Sequence, residues 1–196
     1  MKPVLVIIAG PTASGKTDNA IAVARHFKTE ILSCDSRQFY QQMKIGTAAP
    51  DLQQLALVKH HFIGHLKLDD YYNVSLFEQD TMKILAHLFE NNPVAVMAGG
   101  SGMYIDAVCN GIDDMPDHDP DLRNALQARL LNEGVESLRK ELKRLDPESY
   151  QRVDPRNPNR VLRAVEMCLL TGKPYSEFLT RTKKERPFRI IKIALE

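Results

Sequence analysis

One junction near the start of the chain narrows its fold more than any other feature. Residues 3–9, PVLVIIA, are apolar and rich in β-branched side chains, and they lead directly into Gly10–Thr17, GPTASGKT. The apolar run predicts a strand buried on both faces, as in a parallel sheet. After the glycines, Lys16 to Phe27 sets Ala20, Ile21, Ala24 and Phe27 at helical spacing. The octapeptide satisfies G-x-x-x-x-G-K-[ST], and a strand, such a turn and a helix in that order make a P-loop. Its glycines let backbone amides face phosphate oxygens, Lys16 adds a point charge, and Thr17 offers a hydroxyl to Mg²⁺. Gly10, Pro11, Thr12, Ala13, Ser14, Gly15, Lys16 and Thr17 are therefore expected to bind a di- or triphosphate.

The rest of the first half continues the theme. Glu30–Ser33 and Val94–Ala98 predict two more buried strands, and Val74–Phe89 and Ser101–Val108 predict helices. Strands alternating with helices imply an α/β fold with a parallel sheet covered on both faces. The run HHFIGHL alternates like a further strand. From Gly111 the character changes to the acidic, proline-punctuated GIDDMPDHDP. Helices then follow from Asp119-Pro120, over Val135–Leu145, and from Asn157-Pro158 to about Leu170, two of them opened by a capping residue and a proline. FRIIKIALE returns to a strand pattern. The organisation read from the sequence is thus a P-loop core over 1–115, a helical insertion over 116–186, and a return strand over 187–196.

Charge is distributed unevenly between these parts. The whole chain carries 26 Lys+Arg and 25 Asp+Glu, yet residues 1–120 sum to −5 and residues 121–196 to +6. A polyanionic partner would meet the C-terminal part. No apolar run approaches the ~18 residues of a membrane span. Three widely spaced cysteines, Cys34, Cys109 and Cys168, fit a reducing, cytoplasmic setting.

Asp35, just past the second strand, faces the crevice where parallel sheets bind ligands, as a metal ligand or a general base. Cys34 beside it reads as a structural thiol. Gly99-Gly100-Ser101-Gly102 ends the third strand, allowing close backbone approach and offering the Ser101 hydroxyl. His60, His61 and His65 lack the companions of a zinc site. Arg160 and Arg163 occupy the first turns of a helix, where the dipole adds positive potential. Arg152 and Arg156 would extend that stripe, but Pro155 and Pro158 interrupt it.

Taken together, GPTASGKT, CDSRQFYQQMKIGTAAP, HHFIGHL, YNVSLFEQD, AGGSGMY, MPDHDPDLR and RNPNRVLRAVE resemble, in order and spacing, the tRNA dimethylallyltransferases. The resemblance runs over nearly the whole chain. It implies a P-loop NTPase-like core with a helical insertion that grips the tRNA anticodon stem-loop. The implied reaction moves a dimethylallyl group from dimethylallyl diphosphate to N6 of the adenosine 3′ of the anticodon. Asp35 matches the family's general base, with Lys16 and Ser101 beside it, and Mg²⁺ is implied at Thr17. Asp35, Ser36, Arg37, Gln38, Ser101, Arg123, Asn159, Arg160, Val161, Leu162 and Arg163 match positions that contact tRNA. Ala49 stands where the family often has lysine, and Ser101 where it often has threonine. The family's pattern continues past residue 196, so the reading expects a fragment of a longer enzyme acting as a monomer. The P-loop is also an ATP-binding signature, and the alternative is a small-molecule kinase using ATP.

Overall fold

The computed structural model describes every residue except Met1, Lys44, Asp114, Asp117, His118 and Arg181. The last two motif residues before Asp119-Pro120 therefore lie outside it. The chain divides into two compact units, residues 1–112 with 183–196, and residues 113–182.

The first unit is built on a five-stranded, wholly parallel sheet: β1 (Val4–Ala9), β2 (Ile31–Ser33), β3 (His60–His61), β4 (Val94–Gly99) and β5 (Arg189–Ala194). The strand order is β3-β2-β4-β1-β5. Side chains of β1 alternate between the two faces, as strand geometry requires. Leu5 and Ile7 join a core with Leu32, Phe39, Phe77 and Met97, whereas Val6 and Ile8 pack with Ala20, Ile21 and Ala24 of α1 (Lys16–Phe27). Burial on both sides explains why the strands read as unbroken apolar runs. Around the sheet lie α2 (Leu52–Leu57), α3 (Val74–Asn91) and α4 (Gly102–Asn110).

Two local readings change. The alternation of HHFIGHL does not continue as a strand: His60–His61 joins the sheet, Leu66 makes only an isolated bridge to Tyr40, and between them Phe62 and Gly64 adopt left-handed backbone with φ of 64° and 56°. Tertiary packing wins there, since turning the chain buries the Phe62 ring against Phe77, with centroids 4.9 Å apart. α2 has no strong apolar periodicity and arises from a capping box, in which Asp51 accepts from the Gln54 amide and Gln54 from that of Asp51.

The second unit is helical: α5 (Pro120–Glu133), α6 (Val135–Leu145), α7 (Pro147–Arg152) and α8 (Pro158–Thr171), then a 3-10 turn at Tyr175–Phe178. Asp119, Asp146 and Asn157 each cap a helix whose first residue is proline. Its core gathers Leu126, Leu138, Leu142, Val161, Leu162 and Val165.

The division falls at 112/113 and 182/183, against the sequence reading's 115/116 and 186/187. Arg186 accounts for the second difference. Its guanidinium donates to the Val108 and Ala107 carbonyls and to the Glu78 carboxylate, and both partners of that ion pair have side chains only 8% exposed. The pair clasps the segment before β5 onto α3 and α4. Arg186→Met would strand a buried carboxylate and is expected to lower stability by about 3–5 kcal/mol. Urea unfolding checks this, and Glu78→Leu added to the same variant should recover part of the loss.

Candidate functional site

The site forms where β1, β2 and β4 end together. Ala9 is level with Gly99 and Ser33 with Ala98, so the turns after three adjacent strands meet at one edge of the sheet. The P-loop follows β1. Gly15 sits at φ 78° as the cap of α1, and Ala13, without glycine's freedom, also takes a left-handed φ of 66°. Lys16 Nζ folds back to donate to the Pro11 carbonyl, so its charge lies over the loop.

Asp35 follows β2, and the loop that carries it is held from three sides. The Cys34 amide donates to the Ala98 carbonyl at 2.8 Å. The Ser101 hydroxyl accepts from the Ser36 amide at 3.1 Å, and the Ser101 amide donates to the Cys34 carbonyl. Gly99 supplies the third constraint, because a Cβ there would come within 2.6 Å of the Cys34 carbonyl carbon. On the far side, Gln38 accepts from the Ser33 hydroxyl and donates to the Thr47 and Ala48 carbonyls. Phe39 then drives its ring into the core at 1% exposure, stacked on Phe77. Burial pushes the Cys34 thiol up, so this cysteine is an inert filler beneath the loop.

Two adjoining cavities open here. One, of about 370 Å³, runs from Gly15, Lys16 and Thr17 past Asp35 to Ala20, Ile31, Ala49, Pro50 and His60. The other, of about 210 Å³, is lined by Gly10, Pro11, Ser36, Arg37, Gly100 and Ser101. Lys16 and Asp35 line both. The structure thus brings together the loop residues, Asp35 and Ser101. Ser101 and Gln38 spend their polar groups on the architecture of the loop, whereas Arg37 is exposed. Thr17 and Asp35 line the same cavity, and a threonine hydroxyl suits Mg²⁺, which usually takes one or two protein oxygens and completes its shell with phosphate and water.

His60 lines the inner end of the larger cavity and was not singled out as a site residue by the sequence. Its Nδ1 lies 2.8 Å from the Val58 carbonyl and therefore carries the proton, which leaves Nε2 an acceptor, buried and without a partner. Burial holds the ring below the usual imidazole range. His61 instead bonds Glu30, and His65 packs on Phe39 and Tyr72. Because burial makes His60 take up its proton at a lower pH when folded than the 6.5 of the unfolded chain, its contribution is present above that pH and is lost as pH falls below it. His60→Gln should therefore shrink the fall in urea midpoint between about pH 7.5 and about pH 5.5.

In the second unit, Arg160, Arg163 and Asn159 border a cavity of about 460 Å³ at the start of α8. Arg152 of α7 lines it too, so the turn at 153–157 returns that arginine to the stripe which the prolines interrupt in sequence. Val161 and Leu162 are 1% exposed and belong to the core, leaving their side chains nothing to offer a partner. Arg123 bonds Glu166.

Comparison with known proteins places this geometry in context. A family model described as IPP transferase matches residues 38–196. The chain is 50% identical over 195 residues to tRNA dimethylallyltransferase 1 of Phocaeicola vulgatus, covering 100% of this chain and 65% of that protein. It is 52% identical to tRNA dimethylallyltransferase 2 of Parabacteroides distasonis, over 97% of this chain and 64% of the relative. It therefore spans about two thirds of the length of these relatives. Among solved structures, a tRNA delta(2)-isopentenylpyrophosphate transferase from Staphylococcus epidermidis matches at 32% identity and a TM-score of 0.59, over 100% of this chain and 64% of that one. A eukaryotic dimethylallyltransferase acting on tRNA shares the fold, with a TM-score of 0.79 at 24% identity, over 98% of this chain and 48% of the other. None of these is named a kinase, so they lend the kinase alternative no support. With a P-loop after β1, an aspartate at the end of β2 across β4 and these relatives, the chain belongs to the IPP transferase family.

Proposed function

We propose that this chain carries the catalytic core of a transferase that moves a dimethylallyl group from its diphosphate to N6 of the tRNA adenosine 3′ of the anticodon. The observation that carries the reading is the position of Lys16 and Asp35 on the walls of two adjoining cavities. A group transfer between two substrates needs two spaces that meet, with the leaving group in one, the acceptor in the other and the catalytic groups where they join.

The P-loop amides and Lys16 bind the diphosphate. As the allylic C–O bond breaks, its electron pair goes to the diphosphate oxygen, where Lys16 and the loop dipoles meet the growing charge. N6 forms the new C–N bond, and its proton passes to the Asp35 carboxylate. That carboxylate already accepts from the Arg37 amide through Oδ1, at 3.1 Å, which fixes its orientation. Thr17 would hold Mg²⁺, which would supply further neutralisation of the diphosphate when bound. An adenine stacked in an anticodon loop must leave its stack to reach Asp35. The second unit would bind the RNA phosphates through the arginines gathered at the start of α8, Arg152, Arg160 and Arg163. The three cysteines of the chain are free and buried, in keeping with a reducing compartment such as the cytoplasm. We read it as a monomer.

Asp35→Asn keeps the shape of the side chain but cannot take the proton. Transfer should fall about 10²- to 10⁴-fold with RNA affinity unchanged, measured with labelled dimethylallyl diphosphate and an anticodon stem-loop. A variant retaining most of the wild-type rate would remove Asp35 from the role. Lys16→Ala should raise KM for the diphosphate substrate and leave RNA binding alone. ATP consumption without prenyl transfer would overturn the reading as a whole.

A further inference from the structure

In the second unit a carboxylate with no solvent exposure holds two half-buried arginines from different helices. Glu166 of α8 has a side chain 0% exposed, and its Oε2 accepts from Arg123 Nη1 of α5 at 2.7 Å and from Arg163 Nη1 of α8 at 3.0 Å. The other oxygen, Oε1, is buried and has no hydrogen-bond partner among the described residues. An ion pair kept for stability alone would use both oxygens, since bidentate pairing gives the stronger bond and a lone buried acceptor is costly. This one concentrates both arginines on a single atom.

The consequence lies in what remains of each guanidinium. Each has five N–H donors and gives one to Glu166. The side chains of Arg123 and Arg163 are 31% and 28% exposed, so the remaining donors have a route to solvent. The three groups sum to one positive charge. Arg163 also lines the cavity at the start of α8 with Arg152, Asn159 and Arg160.

We propose that Glu166 is a positioning residue for RNA binding, presetting Arg123 and Arg163 so that their free donors meet phosphodiester oxygens. The proposal rests on the functional reading above, in which this unit binds RNA. It predicts a sign that simple electrostatics does not. Removing a negative charge beside an RNA surface should tighten binding if Glu166 acts only through its charge. If it acts by position, Glu166→Gln should weaken binding although the net charge rises. The slope of log affinity against log salt should then fall by about 0.7–0.9 for each arginine that no longer reaches a phosphate.

The test measures the binding of an anticodon stem-loop by the full chain across a salt series, with urea unfolding of each variant beside it. Glu166→Asp is the companion variant, because it keeps the charge and withdraws the carboxylate. Weaker binding and a lower slope in Glu166→Asp, and in Glu166→Gln where it folds, would support the proposal. Tighter binding by Glu166→Gln, or an unchanged slope in folded Glu166→Asp, would overturn it and leave the triad a structural clasp. Failure of the wild-type chain to bind the stem-loop would overturn the functional reading, and this proposal with it.

Discussion

The first unit depends on β4 being paired in parallel between β1 and β2. This central strand brings the ends of its neighbours level, so that the P-loop after β1 and the Asp35 loop after β2 lie on either side of Gly99-Gly100. Glycine is needed there for a steric reason: a Cβ on residue 99 would strike the Cys34 carbonyl carbon, and one on residue 100 would lie 3.2 Å from the Gly10 carbonyl oxygen. The spacing between phosphate loop and carboxylate is thereby set by backbone contacts and not by flexible side chains. Such an arrangement suits a reaction in which charge leaves one group as a proton leaves another.

Around that edge the polar groups divide into those that build and those that face the cavity. The Ser101 hydroxyl, the Gln38 amide and the Ser33 hydroxyl are engaged in holding loops together. Lys16, Thr17, Asp35 and His60 line the space where a ligand would sit. The family resemblance marks Ser101 and Gln38 among residues near the substrate, and their bonds show how they could matter without touching the reacting atoms. Removal of either would move Asp35 before it removed any contact.

The second unit handles positive charge differently from a plain basic surface. Arg129 is bound to Glu141, Ser137 and Glu133, and Arg139 to Glu136 and the Tyr150 ring, so several of its cations are already anchored. The number of basic residues alone therefore overstates what is available to a partner. Arg160 sits at the start of α8 without a carboxylate partner among the described residues, and Arg163 is held by one oxygen of a buried glutamate. Orientation separates the arginines that can serve a ligand from those that cannot.

Much was legible from the chain because the signals were local and physical. The P-loop pattern follows from what phosphate oxygens demand of a backbone, apolar runs from burial on both sheet faces, and Asp-Pro and Asn-Pro from the needs of a helix start. Those features located β1, α1, β4, α5, α6 and α8, the loop and Asp35. The rest involves contacts between distant residues, to which periodicity is blind. HHFIGHL carries the alternation of a strand, yet the burial of Phe62 decides its path. Arg186 reads as an ordinary charged residue in a basic stretch until Glu78, 108 residues earlier, closes on it. Glu166 reads as one more helical glutamate, and only folding encloses it between Arg123 and Arg163. The sequence by itself determined which chemistry the chain can carry, because that depends on residue types at short spacing; the tertiary structure alone decided which polar atoms are spent on the fold and which are left to meet a substrate, because that depends on partners far apart along the chain.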